Sequence, residues 1–149
     1  MNFADTNWLA AMFFEVEGRS DTVRRFLRSH SGQLAVSEIV MLEAENVFRR
    51  NTEDDAPSQL EEFHADHRFY RDAMNWSLVR REAQDLFKRY ARKSKLGTFD
   101  MALLASAKLS GITRLLSFDE GLKAVAVAER IEVFPPLNDE GKARLAELR

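Results

Sequence analysis

The stretch of residues 96–119, LGTFDMALLASAKLSGITRLLSFD, decides the fold because it combines a helix, a turn and a strand. Apolar residues between 101 and 107 recur as in a helix, and Gly111 predicts the turn that follows it. The strand-like run of residues 113–116 then predicts a strand. Around this unit the rest of the chain can be interpreted.

Two carboxylates bracket the unit. Asp100 lies at the front of the helix and is the only charged residue between Gly97 and Ala107. A carboxylate on so apolar a helix is costly to bury unless it is paired or bound to a metal. Asp119 follows the strand, and ligands of open α/β sheets gather beyond the carboxyl ends of the strands. The unit therefore predicts half of an active site.

Strand and helix patterns alternate along the whole chain. The predicted strands are residues 2–4, 33–36, 113–116 and 131–134. One predicted helix follows Asp5, a second begins at a cap on Ser20 or Asp21, and a third follows a cap on Ser37. Two more span about 58–72 and 79–93, and the next contains 101–107. A short helix passes through Leu122 and Val125, and a terminal helix begins at Asn138. Residues 51–57 are expected to form a loop and residues 75–76 a connection, while Leu27 is assigned to the buried face of its helix. The alternation predicts an α/β fold with a central parallel sheet of four to five short strands flanked by helices.

Length and composition predict one domain over residues 1–149. With 45% hydrophobic residues, 31% charged residues and a formal net charge of -2, any surface that binds nucleic acid must be local. The absence of Cys excludes disulfides, thiolate zinc sites and a Cys nucleophile. The N-terminus has no basic leader, and no apolar run approaches the ~18 residues of a spanning helix, so we expect a cytoplasmic protein without a membrane span.

Four acids are awkward to accommodate because each lies beside a strand end or within an apolar helix. They are Asp5, Glu43, Asp100 and Asp119. Carboxylate oxygens suit Mg²⁺ or Mn²⁺, and a pair of such ions can activate water and stabilise a phosphodiester during cleavage. The sequence therefore predicts a metal cluster. The alternative is that Glu43 or Asp119 is a solvated helix-terminal acid, since 24 acidic residues produce some suggestive placements by chance.

A local basic cluster precedes Asp100. It consists of Lys88, Arg89, Arg92, Lys93 and Lys95. Such a run is usually a solvated helix face. Beside an acid-rich metal pocket it gains meaning, because a polyanionic substrate needs cations outside the metal site to hold its backbone. Its position favours a nucleic-acid substrate.

Other motifs carry less chemistry. Glu61 and His64 have Glu-x-x-His spacing, but a di-iron bundle needs that motif twice and it occurs once. His64 and His67 are three residues apart without an evident third metal ligand. No glycine-rich phosphate loop is present, so nucleotide binding of that type is not expected.

Four segments, in order, resemble the motifs of the PIN domain ribonucleases, and in particular the toxins of VapBC-type toxin–antitoxin pairs. The opening Asp5-Thr6-Asn7 resembles the DTN of the family. The segments that resemble its later motifs are Ser37 with Glu43 and Asn46, Thr98-Phe99-Asp100 with Leu104-Ala105-Ser106-Ala107, and Ser117-Phe118-Asp119 in place of Thr-x-Asp. The resemblance covers nearly the whole chain.

The resemblance implies a ribonuclease whose metal-binding and catalytic acids are Asp5, Glu43, Asp100 and Asp119. Asn7, Ser37 and Ser117 would support the site. Water activated by metal would attack a phosphodiester of RNA without a covalent enzyme intermediate. The resemblance also implies an antitoxin whose tail blocks the site, and we expect a homodimer.

Some members of the family carry a further acid two positions after the last Asp, where this chain has Gly121. The way a second metal would be held therefore stays open. Three alternatives to a toxin also stay open: a PIN-domain nuclease that processes RNA, a catalytically silent binding module with the same fold, and a haloacid-dehalogenase-like phosphatase. The phosphatase family has a second Asp at the position of Asn7, which disfavours it.

Large apolar side chains near the N-terminus and in the third predicted helix exceed the evident need of one small core. They are Trp8, Met12, Phe13, Phe14, Val47 and Phe48. Some of them are expected to form a groove for an amphipathic helix of the antitoxin. The alternatives are that all belong to the core or to a homodimer interface.

Overall fold

A computed structural model describes residues 1–30, 34–51, 61, 69–72 and 74–149. The strands are β1 (Asn2–Ala4), β2 (Leu34–Ser37), β3 (Phe69–Asp72), β4 (Arg114–Leu116) and β5 (Glu132–Phe134). The helices with described bounds are α1 (Thr6–Phe13), α2 (Ser20–Ser29), α3 (Glu38–Asn51), α4 (Trp76–Tyr90), α5 (Thr98–Leu109), α6 (Glu120–Ala128) and α7 (Asp139–Leu148). None of the helices in these ranges is long and apolar enough to cross a membrane.

The five strands form one parallel sheet in the order β3-β2-β1-β4-β5. Strand β1 is central, because Phe3 pairs with Ala35 on one side and with Leu115 on the other. All strands are parallel, so their carboxyl ends lie at the same edge. This confirms the predicted α/β fold with a parallel sheet.

Helix α5 is apolar almost all round, and all seven of its residues from Met101 to Ala107 are buried. A helix without a polar face belongs in a core rather than on a surface. Gly111, with a φ of +68°, then allows the tight turn before β4. The stretch of residues 96–119 therefore folds as a helix, a turn and a strand, as its pattern predicts. Its helix α5 is part of the core that packs against the sheet.

Several element boundaries differ from the prediction. The helix predicted to run to Asp72 is wrong at its end, because the residues of β3 pair with β2 as a strand. Helix α4 begins at Trp76, after Asn75, whose side chain accepts a hydrogen bond from the N–H of Leu78 at 3.2 Å. Asn75 is thus a helix cap. The loop prediction for residues 51–57 is wrong at Asn51, which is the last residue of α3. Residues 52–57, Gly32, Gln33, His64 and His67 lie outside the described residues.

Two side-chain predictions are also wrong. Leu27 is exposed, whereas Val23 and Phe26 form the buried face of α2. Neither Ser20 nor Asp21 caps α2, which begins after Arg19 without a side-chain cap. The Ser20 hydroxyl instead donates to the Ala11 carbonyl oxygen at 2.9 Å and so ties α2 to α1.

Candidate active site: an acid-lined cleft

Four acids from four different elements line one cleft of about 310 Å³, hereafter the acid cleft. Asp5 follows β1 and caps α1, and Asp119 follows β4 and caps α6. Glu43 lies within α3 and Asp100 in the first turn of α5. Because β1 and β4 are parallel neighbours, the residues that follow them meet at one edge of the sheet. The structure thus brings together all four acids singled out from the sequence.

Asp5 is the most deeply placed of these acids, with 5% of its surface exposed. Its Oδ1 accepts a hydrogen bond from the Thr6 N–H at 2.7 Å, and its Oδ2 accepts one from the Ser117 hydroxyl at 2.7 Å. The same Ser117 oxygen accepts from the N–H of Asp119 at 3.0 Å. Ser117 is completely buried and links two of the acids. Its hydroxyl fixes the carboxylate of one and the backbone of the other.

Two neighbours of Asp5 hold other parts of the cleft. The Thr6 hydroxyl donates to Glu43 Oε2 at 2.6 Å, which joins the start of α1 to α3. The Asn7 side-chain oxygen accepts from the Phe118 N–H at 3.0 Å, which joins α1 to the loop before α6. The first turn of α1 therefore positions groups on both sides of the cleft.

Ser37 and Asn46 do not line the acid cleft. The Ser37 oxygen accepts from the Val40 N–H at 3.3 Å, which is the expected helix-capping contact, and Ser37 lines a separate cavity with Ser106. Asn46 is exposed. Ser37 therefore bears on the site only by fixing the start of the helix that carries Glu43.

The electrostatics of the cleft disfavour charge on Asp5 and Asp100. Burial raises the pKa of Asp5 to about 7, against hydrogen bonds from Ser117 and Thr6 that lower it, and the charges of Glu43 and Asp100 raise it further. Burial also raises the pKa of Asp100, with the charges of Asp119 and Glu43 acting in the same direction. The cleft therefore favours any cation that binds among these carboxylates.

Within the described part of the chain, none of the four acids forms an ion pair. In the same residues, no three metal-ligating side chains converge closely enough to hold one ion as they stand. Three of the acids accept hydrogen bonds from protein groups: Glu43 from the Thr6 hydroxyl, Asp5 from the Ser117 hydroxyl and Asp119 from the Leu122 N–H. Four carboxylates on one cleft are nevertheless the oxygen donors that Mg²⁺ and Mn²⁺ prefer. The donor set fits such an ion.

Two residues of the cleft escape sequence reasoning. Thr6 contacts Glu43 across 37 positions of sequence, and no local pattern predicts that contact. Arg19 lines the cleft with its guanidinium 5.2 Å from the ring centroid of Phe118. It follows Gly18, whose φ of +76° turns the chain toward the cleft, and the glycine was the only available signal.

None of the five residues of the basic cluster lines the acid cleft. Lys88 pairs with Asp85 at 3.6 Å, and Arg89 pairs with Glu129 at 2.7 Å. Lys93 and Lys95 line a neighbouring groove. Lys88 and Arg89 are thus paired with acids, whereas Lys93 and Lys95 line a groove. The role of the cluster in binding RNA stays a prediction.

The apolar residues expected to form a partner groove also divide. Trp8 and Phe48 are completely buried, with Trp8 stacked on Phe118 at 5.4 Å between ring centroids. Both belong to the core. Phe13 and Phe14 pack edge-on against Phe48 and are only partly buried, and Val47 lines the acid cleft. Met12 is also partly buried, and the contact of these residues with a partner stays a prediction.

The chain is an α/β protein with a parallel sheet and a carboxylate-lined cleft at the carboxyl edge of that sheet. Comparison with known proteins identifies its family. Residues 3–128 match the model of the PIN domain family, and the chain belongs to that family. No curated protein matches the chain significantly by sequence.

Solved structures share the fold at low sequence identity. The Sarcin-Ricin loop cleaving toxin VapC20 of Mycobacterium tuberculosis matches with a TM-score of 0.71 and 19% identity, over 83% of this chain and 94% of that one. A chain of a toxin–antitoxin complex from Klebsiella pneumoniae matches with a TM-score of 0.61 and 22% identity, over 83% and 91%. A chain of FitAcB from Neisseria gonorrhoeae matches with a TM-score of 0.61 and 15% identity, over 91% and 98%.

Proposed function

We propose that the chain is a metal-dependent endoribonuclease and the toxin of a toxin–antitoxin pair. The observation that carries this proposal is the convergence of Asp5, Glu43, Asp100 and Asp119 on one cleft without an ion pair among the described residues. Membership of the PIN domain family supports a nuclease. The four acids are the groups proposed to hold the metal and to carry catalysis.

A bound Mg²⁺ or Mn²⁺ would supply Lewis-acid activation of water and stabilisation of charge on the phosphodiester. The chain itself orients the acids. Ser117 and the Thr6 N–H hold both oxygens of Asp5, and the Thr6 hydroxyl holds one oxygen of Glu43. Arg19 lies where its guanidinium can meet a phosphate that enters the cleft. No side chain has to form a covalent bond to the substrate.

An RNA substrate and a protein partner are proposed from the structural neighbours. One neighbour is a toxin that cleaves the Sarcin-Ricin loop. A second comes from a toxin–antitoxin complex, and a third comes from FitAB bound to a DNA fragment. Val47 is partly buried and lines the acid cleft, and it offers an apolar contact to an antitoxin segment that enters the cleft. A cation on that segment would pair with the unpaired acids. A homodimer remains part of the proposal.

The central experiment compares Asp100→Asn with Asp139→Asn on metal-dependent cleavage of single-stranded and stem-loop RNA. Both residues lie in the first turn of a helix, but only Asp100 lines the cleft. We expect cleavage with Mg²⁺ or Mn²⁺, none with EDTA, a loss of at least about a hundredfold for Asp100→Asn, and no change for Asp139→Asn. Undiminished cleavage by Asp100→Asn would refute the assignment of the site.

The toxin proposal has a separate test in cells. Expression of the wild-type chain should arrest growth, and expression of Asp100→Asn should not. The Asp100→Asn chain should also retain a small partner protein encoded by an adjacent gene. Harmless expression of a chain that cleaves RNA in vitro would instead assign it to RNA processing, while binding of a partner without any cleavage would make it a silent binding module.

A further inference from the structure

A second groove, of about 340 Å³, is lined by Gly121, which lies two residues after Asp119 of the acid cleft. It lies between the turn after α4, helix α6 and the C-terminal helix α7. Its charged lining residues are Lys93, Lys95, Arg144, Glu140 and Glu147. We call it the α7 groove.

Gly121 connects the two depressions. A β-carbon built on Gly121 would lie 3.3 Å from Asp119 Oδ1 and 3.1 Å from Arg144 Nη1. The lack of a side chain at this position therefore lets a guanidinium approach the rim of the acid cleft. In the resembling nucleases that carry a further acid at this position, a carboxylate would fill the space that Arg144 reaches here.

Arg144 is oriented by a pair within its own helix. Its Nε and Nη2 donate to Glu140 Oε1 at 3.1 and 2.7 Å, and Nη1 takes no part in that pair. The fork geometry of the guanidinium thus fixes one edge on Glu140 and directs the other edge to Gly121. The free edge is able to donate hydrogen bonds to an anion.

The position of α7 is itself fixed against α6 by a buried cation. Lys123, 1% exposed, pairs with Glu120 at 2.6 Å, and Glu120 Oε2 accepts from the Asn138 N–H at 3.2 Å. Gly141 comes so close to Glu120 that a β-carbon there would clash with the carboxylate. These contacts hold the first turn of α7, and with it Arg144, beside the acid cleft.

Helix α7 lies beyond residue 128, where the match to the family model ends. We infer that this helix extends the substrate site: Arg144 binds the phosphodiester next to the one held at the acids, and Lys93 and Lys95 bind the RNA backbone farther along the α7 groove. This inference rests on the proposed ribonuclease function. Lys93 and Lys95 are exposed and form no ion pair with the described residues, so both are free to meet phosphates.

The test uses Arg144→Gln and a matched control, Lys142→Gln, which removes the same charge from an exposed position on α7 outside the groove. Binding is measured in the Asp100→Asn chain by fluorescence anisotropy with a labelled single-stranded oligoribonucleotide over a range of salt. We expect Arg144→Gln to raise Kd about fivefold and to reduce the log-log salt slope by roughly 0.7. We expect Lys142→Gln to change neither, and Arg144→Lys to recover part of the affinity.

The same substitutions in the otherwise wild-type chain separate binding from chemistry. Arg144→Gln should raise KM about fivefold and leave kcat within about twofold. Equal Kd values for Arg144→Gln and Lys142→Gln in a chain that cleaves RNA would overturn the inference and leave the ribonuclease standing. A loss of partner-protein binding by Arg144→Gln with unchanged RNA binding would likewise overturn it. Failure of the ribonuclease function would appear differently, as no cleavage by the wild type.

Discussion

The two ends of helix α5 carry charge under opposite conditions. At its N-terminal end Asp100 faces the other carboxylates of the acid cleft, and no described cation pairs with it. At its C-terminal end Lys108 contacts Glu82 and lies 3.0 Å from Glu129. Arg89 also pairs with Glu129, at 2.7 Å. One end concentrates like charges, and the other balances them.

The pKa directions record this difference. Burial alone would raise the pKa of Glu129, but hydrogen bonds from Lys108, Tyr90 and Arg89 hold it below its ordinary range. Burial and neighbouring carboxylates raise the pKa of Asp100. A charge network that is internally compensated contributes to the fold, whereas an uncompensated one lowers stability until a cation arrives from outside. The comparison separates the structural acids Glu82 and Glu129, which contact the C-terminal end of α5, from the candidate functional acid Asp100 at its N-terminal end.

The largest expected difference between the two ends is in catalysis. Asp100→Asn should lower RNA cleavage by at least about a hundredfold with no loss of stability. Glu129→Gln should keep cleavage within about twofold but lower the free energy of unfolding by about 1 to 2 kcal/mol, because Lys108 and Arg89 lose a charged partner. Cleavage assays and urea denaturation measure the two effects. A large loss of cleavage by a stably folded Glu129→Gln chain would break the comparison.

The next difference is in the dependence of stability on pH in the metal-free chain. The pKa of Asp5 is about 7 in the fold against an ordinary 3.8, so the folded chain holds this proton more tightly than the unfolded chain. Stability therefore falls as pH rises from about 4 to about 7, and the deficit is complete above pH 7. Asp5→Asn removes it and should stabilise the chain by on the order of 2 to 4 kcal/mol at pH 8, and by much less at pH 4.5.

The contribution of Glu129 to stability changes with pH in the opposite direction. Its pKa is lowered in the fold, so its contribution is present above its ordinary value of 4.5 and is lost as pH falls through the lower, folded pKa. The cost of Glu129→Gln should therefore shrink below pH 4. Urea denaturation in EDTA at pH 8, 6 and 4.5 follows Asp5→Asn, with a further series at lower pH for Glu129→Gln. A gain for Asp5→Asn that is equal at pH 4.5 and pH 8 would show that the charge of Asp5 is not its source.

Three acids of the cleft were predictable because the features that mark them are visible in the local sequence. Asp100 has no charged neighbour in its own apolar helix, and Asp5 and Asp119 each follow a strand, so sequence position alone points to the carboxyl edge of a parallel sheet. Their shared edge follows from topology. The fold class was predictable from the same alternation of strand and helix.

What could not be predicted depends on contacts between distant residues. Thr6 reaches Glu43, and Arg144 reaches Gly121, only because α1 packs beside α3 and α7 beside α6. The sequence of β3, FYRD, has two aromatic residues followed by two charged ones and so lacks the alternation typical of a strand, and its pairing with β2 is a tertiary contact. Side-chain partners across elements are set by packing, which a single sequence does not encode locally.

A smaller effect is expected from the residue that positions Glu43. Thr6→Val keeps the shape of the side chain but removes the hydroxyl that donates to Glu43 at 2.6 Å. We expect roughly tenfold slower cleavage, the size of effect that groups orienting a metal ligand commonly have. Thr6→Ser retains the hydroxyl and should stay within about twofold of the wild type. Equal rates for the two variants would mean that the hydrogen bond does not position Glu43.

The smallest expected difference lies within the basic cluster, where position can be separated from charge. Lys93→Ala/Lys95→Ala removes two cations that line the α7 groove, and Lys88→Ala/Arg92→Ala removes two that do not. Both double substitutions change the net charge equally, so a nonspecific electrostatic contribution would weaken RNA binding equally. We expect Lys93→Ala/Lys95→Ala to raise Kd about threefold and to reduce the salt slope by up to about 1.4, because each phosphate contact to a single strand contributes roughly 0.7. Lys88→Ala/Arg92→Ala should have less than half that effect on the slope, since Lys88 already pairs with Asp85. Indistinguishable slopes would return the whole cluster to a solvated helix face.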